Sequence, residues 1–181
     1  MSNERLDELL GQAWEAKKGK SYSLAQRHYN AALDIEPSNW EANMYLSIID
    51  KMQITCSESD FAISAVQNSL SKVAEIIANN VYDEKARDFY CSDIAVDAAR
   101  FAFYICDLQN KEFDRLVMQR TRFSRLSPVK FSKEYIRPRY RALSRMLYSL
   151  AEDFKKQFPS GEGINGANTL KNVAKTISKL G

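Results

Sequence analysis

Apolar residues recur every three or four positions along most of this chain, the spacing that places them on one face of an α-helix. The first such stretch begins near the N-terminus and runs to about Lys18, where the polar segment KKGKS ends it. A second begins at Ser21 and ends at EPSN, because the residue before Pro37 is pushed out of the helical region. A third begins after Asn39. The pattern therefore predicts three helices in the N-terminal third of the chain.

The rest of the chain repeats this period over longer stretches. We expect one helix over FAISAVQNSLSKVAEIIANN, capped by Ser59 or Asp60. An aromatic-rich segment follows, which forms one long helix or two helices joined near Asn110. After a break at SPVKFS, a further helix starts or kinks near Pro138, because proline has no amide hydrogen to donate. The segment PSGEGINGAN has the composition of a linker, and a short amphipathic helix follows it.

Composition favours the same fold class. The chain has 181 residues, of which 45% are hydrophobic, six are glycine and four are proline. Such a chain lacks the polar signature of disorder and the frequent turns of an all-β fold. We predict an all-α protein in three parts. They are a helical hairpin plus one helix at 1–55, a bundle of longer antiparallel helices at 56–158 continuous with it, and a linker with a C-terminal helix at 159–181.

The sequence also bears on the compartment. No apolar run approaches the roughly 20 residues that cross a bilayer, and the first 20 residues are charged where a signal peptide is apolar. Cys56, Cys91 and Cys106 are odd in number and far apart, which fits neither a disulfide framework nor a zinc site. We expect buried, reduced thiols in a cytoplasmic protein that does not contact a membrane.

The predicted hairpin carries small, aromatic and proline residues at fixed offsets: Ala13, Tyr22, Ala25, Tyr29, Ala32, Leu33, Ile35, Pro37 and Asn39. The alanines let two antiparallel helices approach closely, and Tyr29 fills the space between them. These residues resemble one tetratricopeptide repeat, and NWEANMYLSII resembles the first helix of a second. The resemblance covers residues 5 to about 52. Gln12, Ala16 and Lys20 depart from the family's pattern, Lys20 at the position of the turn glycine.

In the tetratricopeptide family, the first helices of successive repeats line a concave groove that binds a protein or peptide. By position, the resemblance implies a groove that presents Asp7, Leu10, Trp14, Lys17 and Lys18 from one helix and Glu41, Met44, Ile48 and Lys51 from the next. The partner-binding residues that we predict among them are Leu10, Trp14, Lys17, Met44, Ile48 and Lys51. Leu10 and Trp14 replace the lysine and asparagine with which chaperone-binding members clamp a C-terminal carboxylate, which argues against that ligand. The groove is either open to a partner or covered by the chain's own helices after residue 59. We expect it to be covered, with any partner surface on the remaining edge.

A strongly basic segment lies between Lys111 and Arg145, whereas the rest of the chain is net acidic. Arginines interleaved with aromatic residues have the chemistry that holds phosphates and stacks on bases. The candidate basic patch consists of Arg120, Arg122, Arg125, Arg137, Arg139 and Arg141. The same arginines can equally pair with acidic residues of the first hundred positions. Binding of nucleic acid or of an acidic partner is therefore the alternative function, with nucleic acid the less favoured ligand.

Residues with catalytic or metal-binding spacing are not found in the sequence. His28 is the single histidine and has no serine or cysteine at a catalytic spacing. The segment GEGING has no strand before it, and Asp93, Asp97 and Asp107 follow one another along a helix, where we expect them in solvent. The sequence thus predicts a non-catalytic interaction module with no cofactor and no metal. Its partner is an unidentified protein or peptide, and a homo-oligomer stays open.

Overall fold

The computed structural model describes residues 2–123, 136–161 and 163–180, and the side chains of 4–119, 136–161 and 163–180. In these residues the chain forms eight α-helices and no strand, which confirms the all-α class. The helices are α1 (Ser2–Lys18), α2 (Tyr22–Ile35), α3 (Trp40–Ile49), α4 (Ser59–Leu70), α5 (Val73–Asn80), α6 (Glu84–Phe123), α7 (Arg137–Gln157) and α8 (Ile164–Leu180). A 3-10 turn, Cys56–Glu58, precedes α4.

Helices α1 and α2 pack on each other as a hairpin, and α3 packs on α2. Ala25 and Ala32 of α2 are completely buried, as the prediction of a close helix contact requires. Tyr29 stacks on Tyr45 of α3, with ring centroids 5.6 Å apart. In the turn, Lys20 has a φ of +62°, the left-handed region that favours glycine. The hairpin is therefore observed, whereas its membership of the tetratricopeptide family stays a prediction.

The segment after residue 59 forms two helices where the sequence predicted one. Helix α4 ends at Leu70 and α5 begins at Val73. At the break, the Ser71 hydroxyl donates to the carbonyl of Asn68, a local bond that competes with the helical ladder. Leu70 and Val73 are both buried, so the apolar period continues across the break. The hydrophobic pattern could not reveal it for this reason.

Helix α6 is one continuous helix of 40 residues, and α8 and α7 pack against it. Helix α7 begins with Pro138 in its first turn, as predicted. Helix α8 begins at Ile164, inside the segment predicted to be a linker. Two of that segment's glycines have structural uses: Gly163 has a φ of +75°, and a Cβ on Gly166 would lie 2.6 Å from the Cys91 carbonyl oxygen. The glycines thus serve a turn and a close helix contact.

Candidate protein-binding groove

One side of α6 faces the N-terminal helices and carries polar and aromatic residues at intervals of three and four. We call this the polar face; its members are Tyr90, Asp93, Asp97, Arg100 and Tyr104. Lys17 of α1 is 1% exposed, and its Nζ lies 2.5 Å from Oδ2 of Asp93 and 2.5 Å from Oδ2 of Asp97. Buried cations are normally paired in this way. The ion pairs therefore fix α1 against α6.

Helix α3 joins the same network through Tyr45. Its hydroxyl donates to Oδ2 of Asp93 at 2.5 Å, and its ring centroid lies 3.9 Å from the Lys17 Nζ. Burial raises the pKa of Tyr45, and the Asp93 carboxylate raises it further. Burial also raises the pKa of Asp97, although the Lys17 ammonium acts in the opposite direction. The cluster is a desolvated junction between three helices.

A row of aromatic rings continues from this junction toward the surface. The Trp40 and Tyr90 ring centroids are 5.1 Å apart, those of Tyr90 and Phe89 5.5 Å, and those of Phe89 and Trp14 6.0 Å. The Tyr90 hydroxyl donates to Oε2 of Glu41 at 3.0 Å. Burial raises the pKa of this glutamate, and the hydrogen bond from Tyr90 lowers it. A half-buried carboxylate is therefore bound to the middle of the row.

The last rings of this row border a groove of about 310 Å³ between α1, α3 and α6. Its lining residues are Asp7, Leu10, Gly11, Trp14, Glu41 and Phe89, and we call it the α1/α6 groove. Phe89 is 48% exposed, and Leu10 and Trp14 are half-buried. A Cβ on Gly11 would meet no atom within 4 Å, so this glycine leaves its part of the groove empty. The groove combines an apolar floor with two carboxylates.

The predicted partner-binding residues separate into two groups in the structure. Leu10 and Trp14 line the α1/α6 groove. Lys17, Met44 and Ile48 are buried beneath the chain's own helices, so they contact no partner while those helices stay packed. The sixth residue, Lys51, is half-buried, with its Nζ 5.8 Å from the Phe61 ring centroid. The predicted cover by later helices thus applies to the centre of the groove, and one edge stays open.

Sequence reasoning missed the contribution of α6 to this site. Phe89 lies in the aromatic-rich segment for which the sequence predicted only helix, and Asp93 and Asp97 were expected in solvent. In the structure Asp97 is 2% exposed and Asp93 is half-buried, so that expectation was wrong for both, whereas Asp107 is exposed. Two carboxylates four residues apart on one helix, with aromatic residues at matching spacing, were the available signal. Its partner lysine lies 76 residues earlier than Asp93, which no local pattern reveals.

The basic segment is only partly described. Arg139 donates from Nε and Nη2 to the two oxygens of Asp60, at 2.8 and 2.7 Å, and from Nη1 to Gln109. It thus pairs with an acidic residue of the first hundred positions. Arg137 is half-buried and Arg141 is exposed. The side chains of Arg120 and Arg122 and the whole of Arg125 lie outside the described residues.

The remaining chemistry concerns cysteines, metals and membranes. Cys91 and Cys106 are buried, and burial raises the pKa of Cys106 to about 12. In the described ranges, no three histidine, cysteine or acidic side chains are placed to hold a metal ion. Nor is any described helix both long and apolar enough to span a bilayer. Comparisons with protein-family models, with curated proteins and with solved structures found no significant match to this chain.

Proposed function

We propose that this chain is a non-catalytic interaction module that binds a peptide segment of a partner protein in the α1/α6 groove. The observation that carries the proposal is the exposed Phe89 ring beside Trp14, in the lining of a groove of about 310 Å³. Pockets of about 300 Å³ or more are of a size that seats ligands, and aromatic anchors in such pockets dominate many interfaces. The resemblance to a tetratricopeptide repeat supports the same class of function.

The test begins with random peptides displayed on phage and selected on the immobilised full chain. The affinity of a selected peptide is then measured by fluorescence anisotropy. Gly11→Gln fills the groove with a polar side chain. Gly11→Ala restricts the backbone in the same way, because it also replaces glycine, but its methyl group leaves the groove open. We expect Gly11→Gln to weaken binding at least about tenfold, the effect of losing a central contact, and Gly11→Ala to bind like the wild type.

A second pair of variants tests the anchor. Phe89→Ala removes an α6 ring inside the groove, and Phe103→Ala removes an α6 ring of similar exposure, 44%, that does not line it. Binding should fall about tenfold or more only for Phe89→Ala. The proposal is wrong if no peptide is enriched over uncoated support, or if the selected peptides bind all four variants equally.

A second candidate function rests on α7. Arg141, Arg145 and Tyr148 are exposed and lie at intervals of four and three residues, so they share one helical face. Two guanidinium groups beside an exposed ring suit a single-stranded nucleic acid. Anisotropy of labelled single-stranded RNA should then show binding that falls steeply with salt and is lost in the Arg141→Ala, Arg145→Ala double variant. Absence of binding at low salt removes this candidate.

A further inference from the structure

We infer that the peptide bound in the α1/α6 groove inserts a lysine or arginine side chain, whose cation contacts the carboxylates of Asp7 and Glu41 and the rings of Trp14 and Phe89. This inference rests on the proposed function and adds the chemistry of the partner. A basic side chain has an apolar stem and a charged end. The groove offers the matching surfaces, with Leu10 on its floor and the two carboxylates in its lining.

The lining of the groove includes two carboxylates and no basic residue, and the ammonium of Lys18 lies beside it, over the Trp14 ring. Glu41 accepts one hydrogen bond, from Tyr90, and among the described residues neither Glu41 nor Asp7 forms a salt bridge. The nearby Lys17 is buried with Asp93 and Asp97 and cannot reach into the groove without breaking those pairs.

A half-buried carboxylate that forms no direct ion pair is destabilised, because burial removes part of its hydration, and the nearby Lys17 ammonium offsets only part of this loss at Glu41. The raised pKa of Glu41 has this cause. A cation brought by a partner would recover the lost stabilisation by forming a charge-assisted hydrogen bond in a partly desolvated site. The groove is therefore complementary to a basic group and unfavourable to an acidic one.

The aromatic rings in the lining of the groove also suit a cation. The Nζ of Lys18 lies 4.7 Å from the Trp14 ring centroid, within the range of a cation–π contact. This tryptophan thus already attracts an ammonium group of the same chain, and a cation from the partner would contact its other face or displace Lys18. Phe89 provides a further ring 6.0 Å away, and it is exposed. Together the rings and the carboxylates favour a cation over an apolar side chain.

The test uses an arginine-containing peptide selected on the wild type. Replacing its arginine by citrulline keeps the shape and removes the charge. We expect selected sequences to be enriched in arginine or lysine next to an apolar residue. The citrulline peptide should bind about tenfold more weakly, the usual effect of losing one charge-assisted hydrogen bond.

Two variants of the protein test the same contact from the other side. Glu41→Gln and Asp7→Asn should each weaken binding of the arginine peptide by about tenfold. Neither variant should further weaken binding of the citrulline peptide, because that peptide already lacks the positive charge that the two carboxylates contact. The controls are Glu15→Gln and Asp34→Asn, which neutralise exposed carboxylates outside the groove and should leave both affinities unchanged. Thermal melts of all four variants establish that they are folded. Because Asp7 is exposed, we expect Asp7→Asn to fold, and it tests the contact even where Glu41→Gln does not fold.

The outcomes separate the inference from the proposed function. Selected peptides without basic residues that still lose affinity for Gly11→Gln would overturn the cation inference and leave the proposed function intact. Peptides that bind independently of Gly11→Gln and Phe89→Ala would overturn both. The basic α7 and α8 of a second copy are another source of a cation. Wild-type dimers in sedimentation that Gly11→Gln dissociates would overturn the inference in favour of self-association.

Discussion

Helix α6 packs on its two sides through different chemistry. The side opposite the polar face carries a stripe of small residues, and we call it the small-residue face; its members are Cys91, Ala95, Ala98, Ala102 and Cys106. Its ends contact the other long helices: Cys91 lies against Gly166 of α8, and the Cys106 carbonyl accepts a hydrogen bond from Tyr140 of α7. The polar face instead meets α1 and α3 through ion pairs and aromatic rings.

The difference explains where the groove lies. Small residues allow helices to approach until their backbones touch, and such a contact leaves no room for a ligand. Long polar side chains and rings hold helices farther apart, and their directional contacts leave gaps between them. The α1/α6 groove lies at the edge of the polar face, where Phe89 and Trp14 are the last rings of the row. The same contacts that attach the N-terminal helices therefore create the candidate site.

The largest effect is expected from the ion pairs of the polar face. Lys17→Met leaves the buried Asp97 with only the half-buried Arg100, whose Nη1 lies 3.3 Å from its Oδ1, and breaking a buried pair typically costs about 3–5 kcal/mol of unfolding free energy. Lys18→Met is the matched control, because this neighbouring lysine is exposed and should change stability by less than about 1 kcal/mol. Urea denaturation measures both. Adding Asp97→Asn to Lys17→Met should recover part of the lost unfolding free energy. Equal stability of Lys17→Met and Lys18→Met would contradict the stabilising role of the Lys17–Asp97 pair.

Disturbing the small-residue face should lower the unfolding free energy less than breaking the ion pairs of the polar face does, but the loss should still be large. Gly166→Leu places a side chain where a Cβ would lie 2.6 Å from the Cys91 carbonyl oxygen, so α8 must move away from α6. Overpacking of this kind costs about 1–3 kcal/mol. Asn168→Leu adds the same side chain at an exposed position of α8 and is the control. Melting temperatures that match for the two variants would show that α8 does not depend on this close contact.

A smaller effect, dependent on pH, is expected at the groove edge of the polar face. Burial raises the pKa of Glu41 above its usual value, while Lys17 lowers it and Asp93 raises it. A carboxyl with a raised pKa in the folded state binds its proton more tightly there than in the unfolded chain. Its contribution to stability is therefore fully present below the unfolded pKa, about 4.3, and is lost as pH rises through the folded pKa.

The check compares urea denaturation of the wild type and Glu41→Gln at a series of pH values. The stability of the wild type relative to the variant should fall as pH rises above about 4.3, and then become constant once the folded-state carboxyl is ionised. Glu15→Gln makes the same change at an exposed position and is the control. A constant difference for Glu41→Gln would show that burial does not perturb this carboxyl.

The two faces of α6 also differ in how far the sequence predicts them. The spacing of apolar residues predicted the helices and the all-α fold class, because burial of one side of a helix imposes a period of three to four residues. It could not give the contact of Gly166 with Cys91, since glycine in PSGEGINGAN equally indicates a linker. Nor could it pair Lys17 with Asp97, because that contact depends on how α1 and α6 pack in three dimensions. Leu10 and Trp14 were placed in a groove only through a family resemblance, and Phe89 was missed.

The smallest expected effect concerns the turn of the hairpin that the polar face holds in place. Lys20 adopts a φ of +62°, a conformation that costs an L-residue roughly 1 kcal/mol and glycine almost nothing. Lys20→Gly should therefore raise the unfolding free energy by up to about 1 kcal/mol, less the greater entropy of glycine in the unfolded chain. Lys20→Ala removes the same side chain but keeps the strain, so it should not gain stability. Thermal melts of the two variants decide the point: if Lys20→Gly is no more stable than Lys20→Ala, the turn does not strain Lys20, and its positive φ has no energetic cost in this hairpin.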